Sequence, residues 1–300
     1  MNNSKEDTVL ETQVVSPEGN PSEQQNIGKK PKKIFANIGD YLWREWVRPI
    51  GEAVIIAVVI TTFVFTTVAI SGNSDLPSIR DGERVFVPKY EMWLSRLGIM
   101  SYKRGDLVVL KPPKDAGRVQ PIPLLGDVFR NLTYKPFYIK RIVAVPGDSI
   151  VLEKGILTVN GTKVNENHTV AYWKKQQSFD DCSYLANSDF WNFNRAAEAN
   201  KLRPESPCAD AKPNPNYKAT PFVLKPNQYF VMGDNRSPGG SEDGRAFGPV
   251  TLEELAGRAT FVWWPFFRRD ESSKQLVFNM RPLPRPEAFD NLNKGLPQPK

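Results

Sequence analysis

The sequence predicts a mainly β protein carrying an inserted cap subdomain and preceded by one N-terminal transmembrane helix. From Ala53 to Ser74 no position is charged, and as a helix rising about 1.5 Å per residue this stretch covers about 33 Å, enough for a hydrocarbon core of about 30 Å. Beyond it, short β-branched or apolar runs recur, each ended by Pro or Gly, as strands are. The chain also holds 26 prolines in 300 residues, which favours loops and strands over long helices.

The chain opens on a stretch rich in Asn, Glu, Gln, Ser and Lys with few core-forming residues, expected to be disordered because it cannot bury enough apolar surface to offset chain entropy. A basic cluster, Lys29-Lys30-Pro31-Lys32-Lys33, and then Trp43, Arg44, Trp46 and Arg48 precede the apolar run. Basic residues and interfacial tryptophans on that side place the N-terminus in the cytoplasm and the rest of the chain outside. Ala69-Ile70-Ser71 has the small-x-small look of a signal-peptide cleavage site, but a leader of about 50 residues before the apolar run is too long for that reading. An uncleaved anchor is expected.

Strands are expected in Arg84–Pro88, Asp106–Leu110, Tyr138–Val145, Tyr229–Met232 and Ala259–Trp264. Ile156-Leu157-Thr158-Val159 meets Asn160-Gly161 and then Lys163-Val164, the signature of a type I′ hairpin. Between about 166 and 217 the strand pattern dissolves into aromatics mixed with Asn, Asp, Pro and the two cysteines, which reads as an insert. In an oxidising compartment Cys182 and Cys208 can join and stabilise this piece by about 3 kcal/mol; two unpaired thiols are the alternative. The organisation expected is a disordered basic cytoplasmic tail (1–51), a transmembrane helix (52–71), a catalytic β domain (72–165 and 218–281), the inserted cap (166–217) and an extended Pro-rich tail (282–300).

The net charge of +7 comes from scattered residues without a nucleic-acid motif, so no nucleic-acid partner is expected; an anionic membrane surface suits it better. Two cysteines and one histidine, His168, leave a Cys- or His-rich metal site without ligands. His168 lies in the polar run Asn165–Thr169 and reads as an exposed loop residue. A hydroxyl nucleophile then needs another base, and lysine is the known substitute.

Ser74 follows Gly72 by two and precedes Pro77 by three. Such a turn exposes a hydroxyl and its own N–H, as attack on a peptide bond requires; taken alone, a structural turn is the simpler account. Lys140 sits in an apolar strand. Pointing inward it loses solvation, which disfavours its ammonium form and makes it a usable base; pointing outward it is a surface lysine, and alternation does not decide between them. Met232 to Val250 is dense in Asp, Asn, Arg, Ser and Gly and suits a loop whose ion pairs and hydroxyls orient a neighbour, or equally a solvated loop.

Four ordered blocks resemble type I signal peptidases, the membrane-anchored Ser-Lys endopeptidases. Gly72-x-Ser74-x-x-Pro77-Ser78 resembles the nucleophile box, and Lys103–Val109 the strand box that follows it. Tyr138–Arg141, ending in Pro146-Gly147-Asp148, resembles the lysine box. Gly233–Arg236, with Ser241-x-Asp243-x-Arg245 and Gly248-x-Val250, resembles the last box. The resemblance implies an all-β catalytic domain with a variable insert, no metal or organic cofactor, and exported preproteins as substrates, cut at the outer face of the bacterial cytoplasmic membrane after small residues. It assigns Ser74 as nucleophile, with its N–H in the oxyanion hole beside Gly72 and Pro77, and Lys140 as general base. Ser241 would hydrogen-bond the lysine, with Asp234, Asp243 and Arg245 supporting.

The sequence departs from the family pattern at Asp75, where methionine is usual, and more mildly at Gly244 and Ser78; the Arg236-to-Ser241 spacing is also longer. A carboxylate beside the attacking oxygen would favour a protonated Lys140 and oppose a developing oxyanion. It motivates an alternative: a silent homologue that binds membrane-emergent segments without cutting them.

Overall fold

The computed structural model describes residues 39–113, 119–121, 133–181, 221–270 and 273–295, and the chain divides into two units, Met1–Ile55 and Ile56–Lys300. Helix α1 (Gly39–Val64) is long and apolar enough to cross a membrane by length and composition. It corrects two expected boundaries. Residues 39–51 are helical rather than disordered; Pro49 removes a backbone donor, and the wider turns over Trp43–Val47 just before it, closed by the Arg48 N–H on Trp43 O, fit that loss. At the other end the helix stops at Val64, and Phe65–Ala69, expected to be helical, form strand β1. Thr66, Thr67 and Val68 are β-branched and stiff at χ1, which suits a pleated strand, and β1 finds an antiparallel partner with Thr66 opposite Val87.

Along the chain follow β2 (Arg84–Pro88), α2 (Tyr90–Arg96), β3 (Leu107–Leu110), β4 (Gln120–Pro121), β5 (Thr133–Tyr134), β6 (Tyr138–Ala144), β7 (Ser149–Glu153), β8 (Ile156–Val159) and β9 (Thr162–Lys163). Next come α3 (Asn167–Lys175), β10 (Phe222–Val223), β11 (Gln228–Met232), α4 (Gly244–Phe247), β12 (Val250–Thr251), β13 (Leu255–Arg258) and β14 (Phe261–Trp264). The last are β15 (Phe267–Arg269), β16 (Leu276–Phe278), β17 (Arg281–Pro282) and α5 (Glu287–Gly295). The larger sheets run β1-β2-β14-β17, β10-β7-β8-β9 and β12-β11-β6-β3-β13. The protein is mainly β, with an N-terminal apolar helix. The β8–β9 turn is the hairpin that Asn160-Gly161 encodes, both residues at positive φ (49° and 78°), as a type I′ turn requires.

The five-stranded sheet carries the chemistry-bearing residues. In it β6 lies between β3 and β11, with Val108 opposite Lys140 and Met232 opposite Arg141. Both faces of β6 are covered: Val143 and Ala144 belong to a cluster with Ile150, Leu152, Phe230 and Phe289, while Ile142 packs with Val108, Val231 and Leu255. A third cluster, with Ile79, Val85, Leu107, Ile139 and Val262, joins β2 and β14 to the same sheet.

Residues 282–295 are not the extended tail expected from their prolines. Arg285 Nε pairs with Asp106 Oδ1 at 2.5 Å, Asn293 Nδ2 donates to Arg104 O at 2.9 Å, and α5 buries Phe289 and Leu292 in the first cluster. Pro282, Pro284 and Pro286 all precede the helix and none lies within it, and two apolar side chains three apart form its inward face. Of the expected insert, residues 166–181 are described and include α3; Cys182, Cys208 and the remainder of that segment lie outside the described residues.

Candidate active site

The loop from Ile70 to Asp81 joins β1 to β2 and is fixed from both ends. Gly72 takes a φ of +97° and donates its N–H to Asp81 Oδ1 at 2.8 Å. Asn235, in the turn after β11, donates its backbone N–H to Ser74 O and its Nδ2 to Asn73 O, each at 2.9 Å. Pro77 follows a cis peptide bond. Gly233 lies so close that a Cβ there would overlap Ser241 Oγ and approach Ser74 O to 2.5 Å. The last block therefore clamps the serine loop through backbone contacts that need a glycine.

Ser74 and Lys140 meet. Lys140 Nζ lies 2.7 Å from Ser74 Oγ and donates to Ile139 O at 2.6 Å. Its side chain is 2% exposed, so it points inward. The Tyr138 ring is 5.4 Å from Nζ. Asp75 is the third member of this cluster: Ser74 Oγ donates to Asp75 Oδ2 at 2.8 Å, and Lys140 Nζ is 3.6 Å from the same oxygen. Burial pushes the Asp75 carboxyl up to about 6, against the opposing pull of Lys140, because a low-dielectric site disfavours charge.

Behind this cluster stands a second layer built on buried ion pairs. Arg141 grips Asp234 through Nε to Oδ1 at 2.8 Å and Nη2 to Oδ2 at 2.6 Å, and gives a further hydrogen bond to Gly105 O at 2.7 Å. The Ser78 hydroxyl also donates to Asp234. Burial alone would raise the Asp234 carboxyl, but Arg141 overrides it and holds it at about 2. Asp243 and Arg245 form the ion pair the spacing suggests, at 2.7 Å, and Asp243 also accepts the Gly233 N–H at 2.8 Å and caps α4 through the Arg245 N–H.

Ser241 departs from its expected contact. Its Oγ is buried without a hydrogen-bond partner among the described residues, lying against Gly233, and Lys140 bonds Ile139 O and Ser74 instead. His168 is not a loop residue either. It belongs to α3, its side chain is 20% exposed, and its Nε2 lies 4.0 Å from Asp234 Oδ1. Burial lowers it to about 4, so it is neutral at ordinary pH, and it stands at the second layer instead of beside Ser74.

Sequence reasoning did not anticipate the roles of Glu166 and Trp173. Glu166 holds buried Arg236 through two hydrogen bonds of 2.9 and 2.5 Å, and Trp173 Nε1 donates to Asp234 O at 2.9 Å. No local signal pairs Glu166 with Arg236, which stand 70 residues apart.

A cavity of about 180 Å³ opens beside Ser74, Asp75 and Lys140, walled by Ala69, Ile70, Phe137 and Ile139. Val68, Ala69, Phe137 and Tyr138 are shared with a larger groove of about 940 Å³ that continues past Val87, Trp93 and Leu255. The arrangement offers a hydroxyl with a buried amine and a buried carboxylate at hydrogen-bonding range, next to a small recess lined by both apolar and polar side chains. Among the described residues no group of three or more His, Cys, Asp or Glu is placed to hold a metal.

The family model for signal peptidase, peptidase S26, matches residues 43–264. Signal peptidase I S of Bacillus subtilis (strain 168) is 31% identical over 245 residues, covering 81% of this chain and 95% of that protein. Signal peptidase IB of Staphylococcus aureus (strain N315) is 28% identical over 222 residues, 74% of this chain and 90% of that one. A crystal structure of a signal peptidase I from Enterococcus faecalis V583 aligns with 18% identity over 54% of this chain and 98% of that chain, at a TM-score of 0.30.

Proposed function

The chain belongs to the signal peptidase family, peptidase S26, and we propose that it cleaves signal peptides from exported precursor proteins at the outer face of the cytoplasmic membrane. The observation that carries this reading is the 2.7 Å approach of Lys140 Nζ to Ser74 Oγ at the edge of a cavity of about 180 Å³. Ser74 attacks the scissile carbonyl and Lys140 serves the proton transfer, a lysine acting where histidine acts in other serine peptidases. The Ser74 N–H makes no hydrogen bond among the described residues, which leaves it for the oxyanion. The Arg141–Asp234 and Arg245–Asp243 pairs position the two loops that carry the cluster. A recess of this size takes small side chains, which fits substrates with small residues before the cut.

The exposed apolar side chains of α1, such as Ile56, Val58 and Phe63, favour a bilayer as its surroundings. Trp43, Trp46 and the basic residues on its N-terminal side orient that end toward the cytoplasm.

The test incubates the purified full chain, in detergent or lipid, with a precursor carrying an Ala-x-Ala site. Wild type is expected to cleave it, and Ser74→Ala and Lys140→Ala to abolish cleavage without unfolding. Cleavage that survives Ser74→Ala overturns the assignment of the nucleophile. A second reading, a silent homologue that binds emergent segments, is favoured by one observation, the buried Asp75 carboxyl against the nucleophile. It predicts no cleavage by wild type and a gain in Asp75→Met.

A further inference from the structure

Helix α2 carries apolar side chains on two opposite faces. At about 100° per residue, Glu91, Met92 and Ser95 share one face, and all three are buried. Tyr90, Trp93 and Leu97 share the opposite face, where they are between 40% and 71% exposed, and Ile99 and Met100 continue the exposed apolar run in the turn that follows. A helix resting on a core and bathed in water puts polar residues on that outer face. The helix is held against rolling them inward, because on its buried side Glu91 accepts from Arg258 Nε at 2.8 Å and from Arg258 Nη2 at 2.5 Å.

The neighbour of this face shows what covers it. The Lys89 N–H donates to Val64 O at 2.9 Å, so α2 begins beside the last residue of α1. The Phe63 and Trp93 rings stack at 6.3 Å and 22°, which joins the exposed side chains at the end of α1 and those of α2 in one apolar surface. Cations border it: the Arg96 guanidinium lies 6.0 Å from the Trp93 ring, and Lys89 and Arg96 stand at either end of the helix. Tryptophan and tyrosine among aliphatic side chains, with lysine and arginine at the margin, suit a bilayer interface, where long basic side chains reach the headgroups while their stems stay in apolar surroundings.

This inference goes beyond the peptidase reading and rests only on α1 crossing a bilayer: we propose that Tyr90–Met100 is a second lipid contact, lying in the interface of the leaflet where α1 ends. Trp93, Leu97, Ile99 and Met100 enter the acyl boundary, and Lys89 and Arg96 meet the headgroup phosphates. The consequence reaches the site. Lys89, Met92, Trp93 and Arg96 also wall the groove of about 940 Å³ that shares Val68, Ala69 and Tyr138 with the cavity beside Ser74. Seating α2 in the interface sets that end of the groove at the bilayer surface, where a segment leaving the membrane enters it directly.

The test reconstitutes the full chain carrying Ser74→Ala, so that no cleavage intervenes, in vesicles of phosphatidylcholine and phosphatidylglycerol that include a phosphatidylcholine with a diazirine in its acyl chain. After irradiation and trypsin digestion, mass spectrometry reads which peptides carry lipid. Peptides 90–96 and 97–103 are expected to carry adducts together with those of α1, and Leu97→Asp/Ile99→Asp to lower the adducts on them about tenfold while α1 keeps its own. With Ser74 restored, the same double variant is expected to slow cleavage of a membrane-inserted Ala-x-Ala precursor and to leave cleavage of a short soluble Ala-x-Ala peptide unchanged. An unchanged Tm shows that the variant is folded. Adducts on α1 alone overturn the proposal, and a dimer of the full chain that the double variant separates then assigns the face to a second copy. An equal loss of cleavage on both substrates overturns the seating of the groove. No adducts on α1 either removes the bilayer reading and this one together, whereas adducts on 90–103 without cleavage by wild type support the lipid contact and remove the peptidase reading alone.

Discussion

Replacing Arg141 with methionine tests the layer behind Ser74 and Lys140 most sharply, because Asp234 is fully buried and takes two of its hydrogen bonds from that guanidinium, at 2.8 and 2.6 Å. Removing one partner of a buried pair leaves an uncompensated charge and costs about 3–5 kcal/mol, which for a domain of this size lowers Tm by about 6–20 °C. The pH dependence supplies a second reading. In wild type the Asp234 carboxyl is held at about 2 against a usual 3.8, worth on the order of 2–3 kcal/mol at about 1.4 kcal/mol per pH unit. A depressed carboxyl contributes fully above its unfolded pKa and loses that contribution as pH falls, here between about 4 and 2. In Arg141→Met Asp234 keeps the Ser78 hydroxyl but loses the guanidinium, and burial drives the carboxyl above its ordinary value. The variant then gains stability relative to wild type as pH falls. Melting of the full chain in detergent from pH 7 to pH 3 should show a gap that narrows toward acid, and Arg141→Met/Asp234→Leu should recover most of the loss. A single-variant cost below about 1 kcal/mol, or a gap independent of pH, would refute this account of the pair.

Phe289→Ala should destabilise the protein by about 3–5 kcal/mol, since its ring is fully buried in the cluster joining α5 to β6 and β7; thermal melting checks it, and a cost near zero would return the C-terminal residues to a loose tail. Gly233→Ala should lower precursor cleavage about 10²-fold while Tm changes less, because the added methyl presses on Ser74 O and Ser241; unchanged kcat would show that the clamp on the serine loop does not matter.

How much of this was legible follows from which residues carry a local signal. Val108, Val109, Ile142 and Val143 lie in β-branched runs closed by Pro or Gly, and Asn160-Gly161 specifies its own turn, so strands and hairpin could be placed without tertiary information. The direction of Lys140 could not. Alternation tells inside from outside only when one face of a strand is wet, and residues 139 to 144 are all buried. The switch from α1 to β1 was hidden for a related reason: an uncharged run of Val, Ile, Phe and Thr satisfies both a membrane helix and a strand, and it is the pairing with β2, not composition, that selects strand at Phe65. In the C-terminal segment the prolines drew attention from Phe289 and Leu292, whose cluster partners lie far earlier in the chain, in β6, β7, β8, β10 and β11.

The site itself divides along the same line. Glycine and proline spacing marks the serine loop, and the dense Asp/Arg composition marks the loop after β11. Nothing local says which acid meets which base, since Asp234 is set by Arg141 from β6 while Asp243 is set by Arg245 two residues away. Those two carboxylates each have an arginine and fall below the ordinary range. Asp75, whose nearest cation is Lys140 at 3.6 Å, rises above it. Three buried acids within one site thus differ in how strongly they hold a proton, and the difference follows from the number and distance of their cationic partners. The two with arginines are fixed charges that hold loops in place. The one without lies beside Ser74 and Lys140.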